Sequence, residues 1–105
     1  MSQGSADVTP TWRPPEKSEQ VTGKLDAAEV NELPDSAFAF PAARKEALVS
    51  ASHVRNALAR FDQVEDVSDE DRALAFANIR SAAAYFDVNV SEQSWRDLMR
   101  NRAHP

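Results

Sequence analysis

The chain has 105 residues, 42% of them hydrophobic, and a formal net charge of −5, which suits one small domain and a modest core. It contains no cysteine, so thiol chemistry, cysteine-ligated zinc and disulfides are excluded, and a reducing, cytoplasmic setting fits. The acidic balance disfavours a partner held by phosphate contacts. The start "MSQGSADVTP" has neither the basic nor the apolar region of a signal peptide, and no run is long enough to span a bilayer.

Residues 1–23 carry Ser, Thr, Gln, Gly, three prolines and scattered charge, with Val8, Trp12 and Val21 as the sizeable apolar side chains. They read as a disordered tail that buries too little to offset its ordering entropy. Within it, "TPTWRPPEK" is a candidate linear motif anchored by Trp12.

A single helical domain is expected over residues 24–101, with residues 102–105 frayed. In "LDAAEVNELP", Asp26 is an N-cap, Glu29 occupies the capping-box position, and Leu25 has the spacing to staple onto Val30. Pro34 stops that helix near Leu33. In "DSAFAFP", Phe38 and Phe40 alternate with alanine and point to one side of an extended segment. With "KEALV" they make a short irregular β-hairpin over about residues 37–49. Ser50 caps the next helix, with Val49 and Val54 at staple spacing and Val54, Ala57, Leu58 and Phe61 as its apolar stripe. That helix ends by about Asp62.

Ser68 opens the longest helix, with Asp69, Glu70 and Asp71 facing the positive end of its dipole. Its core face is Ala75, Phe76, Ile79, Ala82, Ala83 and Phe86. Ser91 caps the last helix, stapled from Val90 to Trp95, and Trp95, Leu98 and Met99 form its buried face. The architecture is thus mainly α, a small bundle of three to four short helices beside the hairpin.

The segments "KLDAAEVNELPDSAFAFPAARKEALVSASHVRNALARFDQV" and "VSDEDRALAFANIRSAAAYFDVNVSEQSW" resemble a family of small uncharacterised actinobacterial proteins, with a shorter relative of the first segment in some phage-encoded proteins. The resemblance covers about Lys24 to Leu98 and rests on the string "LPDSAFAFP…RKEAL…HVRNALARF". It implies domain limits and brings no activity, cofactor or catalytic residue. Ala47 stands where the family usually has proline and Ser50 where aspartate is usual; serine keeps the N-cap role.

Chemistry is sparse. With Ser50 as N-cap, His53 is N3 and can accept from the cap amide in place of glutamate. As a general base it would need a nucleophile such as Ser50 or Ser52, but no G-x-S-x-G elbow exists and the other histidine, His104, lies at the frayed end. "DQVEDVSDEDRA" lacks the glycine and closing glutamate of an EF-hand, so no metal is expected. No cofactor is expected either, since both glycines, Gly4 and Gly23, precede the domain. Arg96, Arg100 and Arg102 are the one basic cluster, which leaves nucleic acid as an alternative partner and a small hydrolase as a distant third. The favoured reading is a monomeric, non-enzymatic adaptor domain that binds an unidentified protein. Its candidate partner surfaces are the polar edge of His53, Asn56 and Arg60, and a thin stripe of Leu74, Ser81 and Tyr85 opposite the core face of the long helix.

Overall fold

The computed structural model describes residues 8–15 and 26–103, and side chains through Met99. Four helices and one hairpin follow in the order α1 (Ala27–Glu32), β1 (Phe38–Phe40), β2 (Lys45–Ala47), α2 (Ala51–Arg60), α3 (Asp69–Phe86) and α4 (Trp95–Ala103). Single 3₁₀ turns at Asp35–Ala37 and Phe61–Gln63 link α1 to β1 and close α2. The domain is mainly α with a small antiparallel sheet, as the sequence implies.

Local chemistry accounts for the helix starts. Asp26 accepts from the Glu29 N–H at 2.8 Å while the Glu29 carboxylate accepts from the Asp26 N–H at 2.9 Å, a complete capping box on α1. Ser68 and Asp71 repeat the device on α3, with bonds of 3.0 and 3.1 Å. Helix α1 stops before Pro34. Its last carbonyls, those of Val30 and Leu33, accept from the Arg44 guanidinium at 3.0 Å each, and the same guanidinium pairs with Asp35 and lies over Phe38.

The hairpin pairs Phe38 with Ala47 and Phe40 with Lys45. Arg44 and Glu46 both have positive φ, 54° and 60°, although the register is unbroken between the two pairs. The two phenylalanines do not share one apolar side with a polar side opposite. All of Phe38, Ala39 and Phe40 are buried, Phe40 and Ala39 in the main core and Phe38 in a second, smaller core with Leu33, Ala37 and Val49. The strand is covered on both faces because α3 packs on β1 while α1 and its turn close the other side.

The main core joins Phe40, Leu48, Val54, Phe61, Ile79 and the alanines of α3, with Phe86, Trp95 and Met99 packed at its edge. The alanines let α2 and β1 approach α3 closely. Val49 and Val54 lie in different cores, so the expected staple at α2 does not form. Leu25, the expected staple of α1, lies outside the described residues.

Two further expectations are corrected. A tail through residue 23 that buries almost nothing is not what residues 8–15 form: Trp12 is only 6% exposed and belongs to the main core. One large aromatic with a single polar handle supplies the burial that the flanking composition lacks. Residues 1–7 and 16–25 lie outside the described residues. At the other end α4 starts at Trp95, so Ser91 is not its N-cap. The chain turns into the helix through Ser94, whose carbonyl accepts from the Asp97 N–H at 3.1 Å, while the Asp97 carboxylate accepts from the Gln93 N–H at 3.1 Å. Helix α4 runs to Ala103, past the expected limit at 101, and residues 104–105 lie outside the described residues.

Candidate functional site

Helix α3 carries one polar residue on its buried surface. Asn78 is fully buried, 0% exposed, on the line that runs from Leu74 to Ser81 and Tyr85. A buried amide must have its partners within reach. Those partners come from two other segments. Its Oδ1 accepts from the backbone N–H of Thr11 at 2.7 Å and of Trp12 at 2.9 Å; its Nδ2 donates to the Ala39 carbonyl at 2.9 Å and to the Thr11 hydroxyl at 3.2 Å. One side chain therefore ties the N-terminal arm and β1 to α3.

Trp12 completes the arrangement. Its indole N–H donates to the Leu48 carbonyl at 3.0 Å, and its ring meets Tyr85 and Phe86 edge-on at 5.7 and 5.9 Å. The next residue, Arg13, donates its N–H to the Ser36 carbonyl at 3.1 Å. Residues 8–15 contain no helix or strand of their own. Every hydrogen bond they make here goes to the body of the domain, the way a bound extended peptide contacts its receptor.

This contact changes the status of the two candidate surfaces. Tyr85 is 52% exposed, yet one side of its ring is taken by Trp12 and Phe86. Leu74 and Ser81 are half-buried on either side of Asn78. Much of the expected stripe is thus occupied by the chain's own arm. The other surface divides. Asn56 and Arg60 are exposed on α2, Arg60 beside a cleft of about 350 Å³ with Lys45, Glu46, Glu65 and Asp66. Burial pushes the Glu46 carboxyl above the usual carboxylate range, against the opposing pull of Arg60 and Lys45.

His53 is engaged locally, and not as a standard capping box. Ser50 Oγ accepts from the His53 N–H at 3.2 Å, and the Ser50 hydroxyl lies 2.7 Å from His53 Nδ1, to which it donates when the neutral ring carries its proton on Nε2. The imidazole meets the cap's hydroxyl instead of the cap's backbone amide. Ser52 adds a contact of 3.1 Å to the same hydroxyl. Burial lowers the pKa of His53 and holds it in the neutral form that this bond requires.

Asp69, Glu70 and Asp71 lie in the first turn of α3, and Asp69 pairs with Arg72 at 3.0 Å. Among the described residues no group of three or more His, Cys, Asp or Glu side chains could hold a metal ion, and no helix is long and apolar enough to cross a membrane. Near the C-terminus, Trp95 has the guanidinium of Arg96 at 4.4 Å and that of Arg72 at 6.0 Å from its ring centre. The side chains of Arg100 and Arg102 lie outside the described residues.

Of the residues that make this contact, Asn78 and Leu48 are not among the sequence-derived candidates, and Trp12 is there only as the anchor of a linear motif in the tail. Asn78 leaves a signal, an amide set beside the apolar positions Ala75, Ile79 and Ala82. Trp12 leaves another, a large aromatic between prolines at positions 10 and 14. What joins them is a contact across 66 residues, which no local pattern carries. No curated protein and no solved structure matches the chain. Residues 17–93 match a family described as one of unknown function, DUF6582; the match covers α1 to α3 whole but excludes Trp12 and α4, and the chain belongs to that family.

Proposed function

We propose that the protein is a small protein-interaction module, acting in the cytoplasm without catalysis of its own, whose recognition surface is the groove between α3 and the hairpin. The observation that carries this reading is Asn78: a fully buried amide whose oxygen accepts two successive backbone N–H groups of an extended segment. A residue placed this way reads main chain, which is how a receptor holds a peptide in an extended conformation. Trp12 supplies the anchor that such interfaces favour, a large apolar body with one donor at its edge. In this chain the groove is filled from within, so the arm stands as its resident ligand.

The test uses the full chain carrying Trp12→Ala, to which a synthetic peptide of residues 8–15 is added. Saturable binding that shifts the Asn78 side-chain amide resonances and raises the thermal midpoint is expected. If a wild-type peptide leaves both unchanged at millimolar concentration, the groove is ordinary core and the reading falls.

A further inference from the structure

Resting on that reading, we infer that the groove recognises, in other proteins, an extended segment of the form hydroxyl residue, tryptophan, any residue but proline, and that the chain's own arm is a tethered competitor for it. Each position follows from a bond. The first residue must offer a backbone N–H to Asn78 Oδ1 and a hydroxyl to Asn78 Nδ2, as Thr11 does at 2.7 and 3.2 Å. Serine or threonine fits; proline does not. The second must offer its own N–H to Asn78 and an indole N–H to the Leu48 carbonyl, at 2.9 and 3.0 Å in the arm. Phenylalanine would fill the space but leave a buried carbonyl without its donor. The third needs only its N–H, which Arg13 gives to the Ser36 carbonyl. Its side chain is exposed, so its identity is free except for proline, which has no N–H to give.

The flanking prolines belong to the same design. Pro10 and Pro14 bias Thr9 and Arg13 toward extended backbone, which lowers the ordering cost of docking. A segment carried on the same chain competes intramolecularly with any outside segment. An outside segment must overcome that local supply. Binding to the intact chain is therefore weak until the arm leaves, and the arm sets the threshold for partner choice.

The experiment places a protease site between Pro15 and Asp26, folds the full chain, and then cuts it, so that the arm becomes a separable ligand. Labelled peptides of residues 8–15 are exchanged into the cut protein and followed by anisotropy. The wild-type peptide should bind at least roughly tenfold more tightly to the cut than to the intact chain. Thr11→Val and Trp12→Phe in the peptide should each weaken binding roughly tenfold, one buried partner being lost in each. Arg13→Ala should bind as wild type, and Arg13→Pro should not bind. If the body unfolds when the arm leaves, refolding by each peptide, read by circular dichroism, reports the same ranking. A flat ranking in which all peptides bind alike overturns the recognition rule while the interaction reading stands. Failure of every peptide to bind or to refold the cut protein overturns both.

Discussion

The Asn78 Oδ1 atom accepts the backbone N–H of Trp12 at 2.9 Å, across 66 residues of sequence and with no solvent contact at the asparagine. The bond fixes where the arm runs and ties it to the middle of the longest helix. Replacing Asn78 by alanine strands the Thr11 and Trp12 N–H groups and the Ala39 carbonyl together. A loss of about 2–4 kcal/mol is expected, since each buried group left unpaired costs about 1–3 kcal/mol and water entering the gap recovers part of it. Asn78→Asp keeps both acceptor bonds but sets a carboxyl against the Ala39 carbonyl. Burial raises the folded-state pKa of such a group, so the folded protein holds the proton longer than the unfolded one. This variant should lose stability as pH rises from 4 to 7, and denaturation at both values measures it.

His53 gives the wild-type protein an acid-sensitive cap. Its pKa is lowered by burial, so as pH falls below about 6.5 the unfolded chain takes up the proton first. The contribution of the Ser50–His53 unit is complete above that value and is lost as pH falls toward the folded-state pKa. His53→Ala should cost about 0.5–1.5 kcal/mol at pH 7.5, and the difference from wild type should narrow by pH 5. Ser50→Ala should cost a similar amount and the double variant less than the sum, because both changes damage one unit. Additive costs that do not vary with pH would refute the cap.

At α4 the cap assignment itself is under test. Ser91→Ala should change stability by less than about 0.5 kcal/mol, as expected of a surface residue outside the helix. Asp97→Ala, which removes the acceptor of the Gln93 N–H, should cost about 0.5–1.5 kcal/mol. Urea titrations of the two variants settle the order.

Two left-handed positions separate backbone strain from charge. Asp87 ends α3 at φ 61°, with the Val88 N–H donating to the Ala83 carbonyl at 2.8 Å. Asp87→Gly should add about 0.5–1 kcal/mol, because glycine adopts this conformation without steric penalty. Glu46 has φ 60° and a carboxyl raised by burial, so its folded form keeps the proton above the ordinary pKa and wild-type stability declines as pH rises through that window. Glu46→Gln should remove the decline without relieving the backbone. Glu46→Gly should do both.

The helices were legible because their signals are local. Asp26 with Glu29, Ser68 with Asp71, and the 3.6-residue spacing of Ala75, Ile79, Ala82 and Phe86 each lie within a few turns. The hairpin's position was legible in the apolar runs around Phe38 and Lys45, but the alternation did not tell that Phe38 and Phe40 enter different cores, since that depends on what packs on each face. Trp12 was misread because composition averages over a window, and one buried ring among prolines and serines is invisible to an average. Ser91 was misread because serines at 91 and 94 both precede the helix, and the carboxylate of Asp97 decides between them. The Leu48 carbonyl could not be found at all, since a backbone acceptor carries no side-chain signature. Leu74 and Tyr85 were read as lying opposite the core face of α3, but their line runs through the buried Asn78, where the arm 66 residues upstream docks.

The backbone takes positive φ at Arg44, Glu46, Asp66 and Asp87, yet both glycines of the chain, Gly4 and Gly23, precede Asp26. Among the described residues, each left-handed position is therefore made by a residue other than glycine, at up to about 1–2 kcal/mol for Arg44 and Glu46 and less for the aspartates. The same choice removes the most freely moving residue type from the denatured chain, so fewer conformations are surrendered on folding. Strain held in the native turns is offset by a stiffer unfolded ensemble, and the stability of this small domain depends in part on a state in which none of its contacts exist.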